Sequence, residues 1–370
     1  MGTILIVGAD AGGNVPPAVA IAAELASRGH EAVLAGHGAR AAADLPDGAG
    51  LIHLRALADH DMTRATGRLG QGRALLRMGT GRELAREVAA LIASLSPDAV
   101  VVDCMMLSSL RAALASSTPT VALFHSFGAF MLNAARPPLN AVAAILGLPT
   151  TRIWGATRAR ILPTDRELDP AGHRPSPVDF DWVGTTERGV PPEPRNGGEP
   201  PLVLVSLSSA WTPGQSDAYR RIVSALADLP VRAIVTTGGA EIEGVLSSPP
   251  NVEIREREPH GEILPRVDLV IGHGGHSTTM KTLAHGVPML ILPMNPASDQ
   301  PLIARTVEAA GLGVALSRRA FPARLREAVA EILADTAMRD RAAAVGERLR
   351  AEHGARAAAD LIESRCGVER

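Results

Sequence analysis

The stretch Val267–Leu316 (VDLVIGHGGHSTTMKTLAHGVPMLILPMNPASDQPLIARTVEAAGLGVAL) gathers residue types that hold anions. Gly272, Gly274 and Gly275 let the backbone approach a ligand closely. Ser277, Thr278 and Thr279 add hydroxyls at a helix start, where backbone N–H groups lack intrahelical partners and attract negative charge. His273 adds a side-chain donor at the same point, and His276 lines the same loop. This combination suits a diphosphate. Asn295 to Gln300 then form a polar loop in which Asp299 and Gln300 can bond sugar hydroxyls. His285 stands at the helix end, where a cation complements the dipole. Two acidic triplets, Asp59-His60-Asp61 and Asp179-Phe180-Asp181, have the spacing that holds a divalent ion in other enzymes, yet neither lies in the glycine-rich segment. No metal and no other cofactor is expected; the helix N-terminus and His273 would neutralise a bound diphosphate instead.

Such a loop needs a strand to deliver it and a helix to follow it. Apolar runs alternate with Ala-rich helical stretches along the whole chain, which is the pattern of parallel sheets covered by helices. Strands are expected at Ile4–Val7, Ala32–Ala35, Ala99–Val102, Thr120–Phe124, Leu202–Leu207, Val231–Thr236, Val252–Arg255, Leu269–Ile271 and Met289–Leu292. Helices are expected at Pro16–Ser27, Asp217–Asp228, Ser277–His285 and Gln300–Ala310, with a helical tail over Ala323–Ser364. The segment Gly189–Pro201 (GVPPEPRNGGEPP) interrupts this pattern with stiff prolines and an Asn-Gly-Gly break, as a linker does. The expected organisation is an N-terminal Rossmann-like domain over 1–188, a linker over 189–201, a C-terminal Rossmann-like domain over 202–345, and a tail over 346–370 able to pack back on the N-terminal half. Two such domains facing across a cleft bring two substrates to the carboxyl ends of their strands.

Composition removes several classes. A net charge of −2 leaves no basic excess for nucleic acid or a membrane surface. The two cysteines, Cys104 and Cys366, make neither a disulfide scaffold nor a Cys-rich zinc site. The N-terminus reads as a strand rather than a signal peptide, and Asp103 and Arg111 break the most apolar region, so a cytoplasmic protein without stable membrane anchoring is expected. A homodimer stays open. The loop Gly8 to Gly13 lacks the Gly-x-Gly-x-x-Gly spacing of dinucleotide binding, and Gly36-His37-Gly38 stands where the acidic ribose partner belongs.

His273, Gly274, Gly275, Ser277, Thr278, Gly286, Pro288, Asp299 and Gln300, in that order, resemble the donor-binding signature of GT-B fold glycosyltransferases of the family 1 type, which includes bacterial natural-product and UDP-glucuronosyl/glucosyltransferase-like enzymes. The resemblance implies that His273 and the following amides hold the diphosphate, and that Asp299 and Gln300 orient the donor sugar. It places Glu258, Pro259 and His260 near the nucleobase, with Ser208 and Ser209 facing the nucleotide. Members often carry Glu eight positions after the histidine to bond the ribose hydroxyls; Lys281 stands there, which favours a 2′-deoxyribose donor such as a TDP-sugar over a UDP-sugar unless Lys281 is only a solvated helix residue.

In the same family the first loop reads Gly-His-x-x-Pro or Gly-Asp-x-x-Pro, and that His or Asp takes the acceptor's proton. Here Asn14 fills the position, and an amide is not a useful base near neutral pH. Asp10, in the same loop, takes first place among three substitutes, although it is also a residue that bonds its own turn. His125, just past an apolar strand, and Asp103, at a strand end where the family orients its catalytic His, are the others. The resemblance implies an inverting, metal-independent transfer of a sugar, a deoxysugar in particular, from a nucleoside diphosphate to a small hydrophobic acceptor such as a polyketide or other aglycone. A nucleotide-sugar epimerase of the same fold and a catalytically inactive nucleotide-sugar-binding protein remain the alternatives.

Overall fold

The computed structural model describes residues 1–10, 12–38, 41–42, 45, 48–61, 63–64, 67–136, 139–194 and 198–368. The stretch 195–197 of the expected linker lies outside them. The chain forms two compact units, one of residues 1–61, 68–187 and 353–370, the other of 62–67 and 188–352.

The first unit is built on strands β1 (Thr3–Val7), β2 (Glu31–Ala35), β3 (Ala49–Ile52), β4 (Ala99–Asp103), β5 (Thr120–Leu123), β6 (Arg160–Leu162) and β7 (Asp181–Trp182). All run parallel, in the order β3-β2-β1-β4-β5-β6-β7. Strands apolar at successive positions suit a sheet covered on both faces. Leu5, Val7, Val100 and Val102 enter one core layer, and Ile4, Ile6, Ala99 and Val101 the other. Helix Val15–Ser27 starts with prolines in its first turn and ends at Arg28 before Gly29, whose φ of 87° suits glycine. Its face carrying Ile21, Ala22 and Leu25 shares a core with Ala358, Ala359 and Ile362 of helix Gly354–Cys366. Arg28 fastens the same contact, reaching Asp360 at 2.7 Å and Glu363 at 2.8 Å.

The second unit repeats the plan with β8 (Leu202–Ser206), β9 (Arg232–Thr236), β10 (Val252–Arg255), β11 (Leu269–Gly272), β12 (Met289–Ile291) and β13 (Gly313–Ala315). These are also parallel, in the order β10-β9-β8-β11-β12-β13. In both sheets the chain order reverses beside the first strand, between β1 and β4 and between β8 and β11. Strands diverge there, and their carboxyl ends open a crevice for ligands.

Each expected strand and helix is present, with ends moved by a residue or so, as at Gln300–Ala309. The α/β class with two parallel sheets is therefore correct. The helical tail differs in detail. It is three helices, Pro322–Ala334, Thr336–Ala351 and Gly354–Cys366, because Asp335 leaves helical geometry and caps the second by accepting from the Met338 amide at 2.8 Å.

Candidate active site

At the switch point of the first sheet, three strand ends bring polar groups together. Asn14 precedes helix Val15–Ser27 but does not cap it with its side chain. Its amide donates instead to the Ala9 carbonyl at 2.6 Å and to Asp103 Oδ2 at 2.8 Å. Asp103 ends β4, and its Oδ1 accepts from the Met105 amide at 2.8 Å. The same oxygen lies 3.4 Å from Nε2 of His125, which follows β5. Asn14, Asp103 and His125 thus form one buried group, with the His125 side chain 17 % exposed.

The electrostatics follow from that packing. Burial opposes charge on His125, but the adjacent Asp103 carboxylate outweighs it and holds the imidazole pKa well above its ordinary value. Burial likewise works to raise Asp103; the His125 charge and the donors Asn14 and Met105 win, and its pKa falls. Cys104 lies beside the pair, its thiol pushed up to about 11 by burial. Ligating atoms of Asp103, Cys104 and His125 lie within 4.8 Å of one another. Both Asp103 oxygens already accept hydrogen bonds and the thiol resists ionisation, so the cluster is chemically suited to holding a proton.

Asp10 sits nearby without joining this group directly; its Oδ2 would lie 3.0 Å from a side chain at Gly38. Sequence reasoning passed over His37 beyond noting that it is not acidic. It is buried at the end of β2, facing Asp103 and Asp10. The flanking glycines Gly36 and Gly38, directly after a strand, were the available signal. The acidic triplets are elsewhere: Asp59, Asp61 and Asp179 are exposed, and Asp181 accepts from the Arg160 amide at 2.8 Å.

At the switch point of the second sheet, His273 follows β11 and is buried. Its Nδ1 has no hydrogen-bond partner among the described residues. Burial pushes its pKa down to about 4 against a smaller opposing effect of the Ser206 carbonyl, so the ring is neutral at pH 7. The ring lies against Gly275, where any side chain would collide with Nε2. Gly274 has φ of 81°, and a Cβ there would meet Ile291 Cγ2 at 2.8 Å and the Gln300 carbonyl at 3.2 Å. Glycine is required on both counts, and this packing sets the His273 loop beside the start of helix Gln300–Ala309.

Helix His276–Ala284 begins directly after Gly275, with Ser277 and Thr278 half-buried in its first turn. His276, expected to line the loop, is instead the first helical residue and is buried, because the helix starts one position earlier. His285 caps the other end, its Nδ1 2.7 Å from the Lys281 carbonyl. Gln300 Oε1 accepts from the Met294 and Asn295 amides at 2.7 and 2.9 Å, leaving its NH₂ as the group to offer a ligand. Asn295 Oδ1 is spent on the Ala297 amide at 3.0 Å, and Asp299 is the half-buried residue preceding the helix.

After β8, Ser208 has φ of 107°, uncommon for a residue with a side chain and a mark of locally stored strain. Ser209 packs against Gly238 at the end of β9. His260 Nε2 lies 3.1 Å from Thr236 Oγ1, and its pKa is lowered to about 4 by burial first and by Lys281 second. Pro259 precedes its short helix, while Glu258 is held by Arg255 at 2.7 Å. Ser208, Ser209, His260, His273 and Lys281 thus share the carboxyl end of one sheet.

Residues 220–364 match the family model described as Erythromycin biosynthesis protein CIII-like, C-terminal domain. A demethyllactenocin mycarosyltransferase of Streptomyces fradiae is 35% identical over 167 residues, 44% of this chain and 35% of the relative. An oleandomycin glycosyltransferase of Streptomyces antibioticus is 34% identical over 177 residues, 46% of this chain and 40% of the relative. The chain spans less than half the length of the curated relatives it matches. Solved structures agree over almost its full length. The glycosyltransferase of kitacinnamycin has a TM-score of 0.76 at 24% identity, covering 98% of this chain and 99% of its own. The calicheamicin glycosyltransferase CalG4 has a TM-score of 0.73 at 23% identity, covering 100% and 99%. The fold is GT-B, and the matched stretch 220–364 contains the whole His273–Gln300 segment. Among the described residues, no helix is long and apolar enough to cross a membrane.

Proposed function

We propose that the chain is an inverting, metal-independent glycosyltransferase that moves a sugar, a deoxysugar in particular, from a TDP- or UDP-linked donor to a hydroxyl of a small hydrophobic natural product. One observation carries the reading: His273 presents an unpartnered Nδ1 at the switch point of a parallel sheet, directly before a helix N-terminus. A diphosphate there would meet the helix amides and the histidine together. Asp299 and the Gln300 NH₂ would orient the sugar, and the Ser208, Ser209 and Glu258–His260 region would take the nucleoside. The names of the relatives support a natural-product acceptor, which the first unit would hold.

In the reaction, the acceptor oxygen attacks the anomeric carbon. The bond from that carbon to the diphosphate breaks, and its electron pair leaves on the phosphate oxygen. We assign the proton to His125. Its Nε2 lies 3.4 Å from Asp103, and that carboxylate would stabilise the imidazolium that forms. Asn14 serves by holding Asp103. Helix amides and His273 take the charge on the departing diphosphate without a cation.

Incubation with a panel of TDP- and UDP-sugars and aglycones, read by mass spectrometry, tests the reading. Free nucleoside diphosphate and an acceptor heavier by one sugar residue are expected. Donor conversion without any acceptor would support the epimerase instead, and nucleotide binding with no turnover would support an inactive binder.

A further inference from the structure

We propose that His37 is a positioning residue for the Asp103–His125 pair, acting through one internal water enclosed by His37, Asn14 and Asp103. The inference rests on reading that pair as the proton-handling group of the enzyme. A small cavity lies among Gly8, Asn14, His37, Asp103, Leu123 and His125, with about 10 Å³ free to the centre of a water molecule. That is roughly the room one internal water needs, provided polar groups surround it. The site is polar: His37 is 1 % exposed, and neither of its ring nitrogens has a hydrogen-bond partner among the described residues. Buried polar groups in folded proteins are satisfied by protein or by ordered water, so both nitrogens call for a partner.

The chain holds the ring in place at some cost. A Cβ on Gly8 would lie 2.5 Å from His37 Cε1 and Nε2, and one on Gly36 would collide with the Gly8 carbonyl. Glycine at both positions leaves room for the imidazole beside the end of β1. Charged groups face it from each neighbouring strand end: Asp10 after β1, Asp103 from β4 and His125 after β5. Burial first, against the two carboxylates, lowers the His37 pKa, so the ring is neutral and offers one donor and one acceptor. A water accepting from its N–H can donate to Asp103. It would then supply a donor beyond those from Asn14 and Met105, fixing the carboxylate that faces His125.

The test uses the full chain without donor or acceptor, so it succeeds or fails independently of glycosyl transfer. A high-resolution crystal structure should show a water within hydrogen-bond distance of a His37 ring nitrogen and of Asp103 or Asn14. NMR titration of the histidines should then compare the protein with His37→Leu and His37→Gln. Losing a donor to a buried carboxylate makes Asp103 lean harder on His125. In His37→Leu the His125 midpoint should therefore rise by about one pH unit, the scale of a single hydrogen bond. His37→Gln keeps a donor and an acceptor and should restore the original midpoint. Absence of that water, or equal His125 midpoints in all three proteins, overturns the proposal. If His37→Leu does not fold, the water in the parent structure and the Gln midpoint decide it.

Discussion

Replacing Asp103 by Asn should move the His125 titration from above to below the ordinary histidine value. At 3.4 Å and an effective dielectric of about 20, opposite unit charges attract by about 5 kcal/mol. Desolvation of the imidazolium consumes part of this, and with the carboxylate gone it is opposed only by the weaker influence of Cys104. The substitution also has a structural cost. Asp103 accepts from Asn14 and Met105 and faces His125, whereas an asparagine turns an NH₂ toward one of these donors. One mispaired buried group costs about 1–3 kcal/mol of stability. A base deprived of its carboxylate partner should lose about 10²–10⁴-fold in kcat. The acid limb of kcat/KM should lie above pH 6.5 in the parent protein, because only neutral His125 accepts a proton, and should move to lower pH in Asp103→Asn. Stability carries the opposite sign. The raised His125 pKa contributes stability fully present below its unfolded value and lost as pH rises through the folded one. The lowered Asp103 pKa contributes stability above its unfolded value, lost as pH falls through the folded one. Histidine NMR titration of both proteins, with kcat/KM against pH, is the assay. An unchanged His125 midpoint in Asp103→Asn would refute the pairing argument.

His273→Ala removes the ring whose Nδ1, once it carries a proton, would donate to the diphosphate, and should weaken TDP binding about 10- to 100-fold, the worth of one hydrogen bond to a charged group; calorimetry giving an unchanged Kd would count against that contact. Gln300→Leu strips the acceptor from the Met294 and Asn295 amides and should cost about 1–3 kcal/mol per unsatisfied group, seen as a lower midpoint in urea; equal midpoints would mean the loop is held otherwise. Lys281→Glu restores an acceptor for ribose hydroxyls, so the ratio of UDP to TDP affinity should rise; a constant ratio would remove Lys281 from donor selection.

The sheets were legible because buried parallel strands are written as unbroken runs such as Leu202–Ser206, and the helices because glycine or proline punctuates them, as at Arg28-Gly29. Short edge strands were not. Asp181–Trp182 in β7 and Gly313–Ala315 in β13 carry too few residues to show a pattern, and neighbouring strands impose their conformation. Helices Gly67–Thr80 and Arg82–Leu95 went unread because the first has no clear apolar face and the second sits among polar residues of no recognisable motif. The nucleotide-side candidates stood in one continuous segment, so local order revealed them. The Asp103–His125 pair joins the ends of two strands, a proximity created by β4–β5 pairing rather than by a motif. His37 was harder still, because its role depends on an unpaired ring inside a cavity, and neither property is written in a sequence.

Crystallisation with TDP bears most directly on the account. It predicts the two phosphates on the amides of residues 272–279 with His273 Nδ1 in hydrogen-bond contact and no cation bridging them. A nucleotide bound away from that turn, or phosphates held through a metal ion, would contradict it.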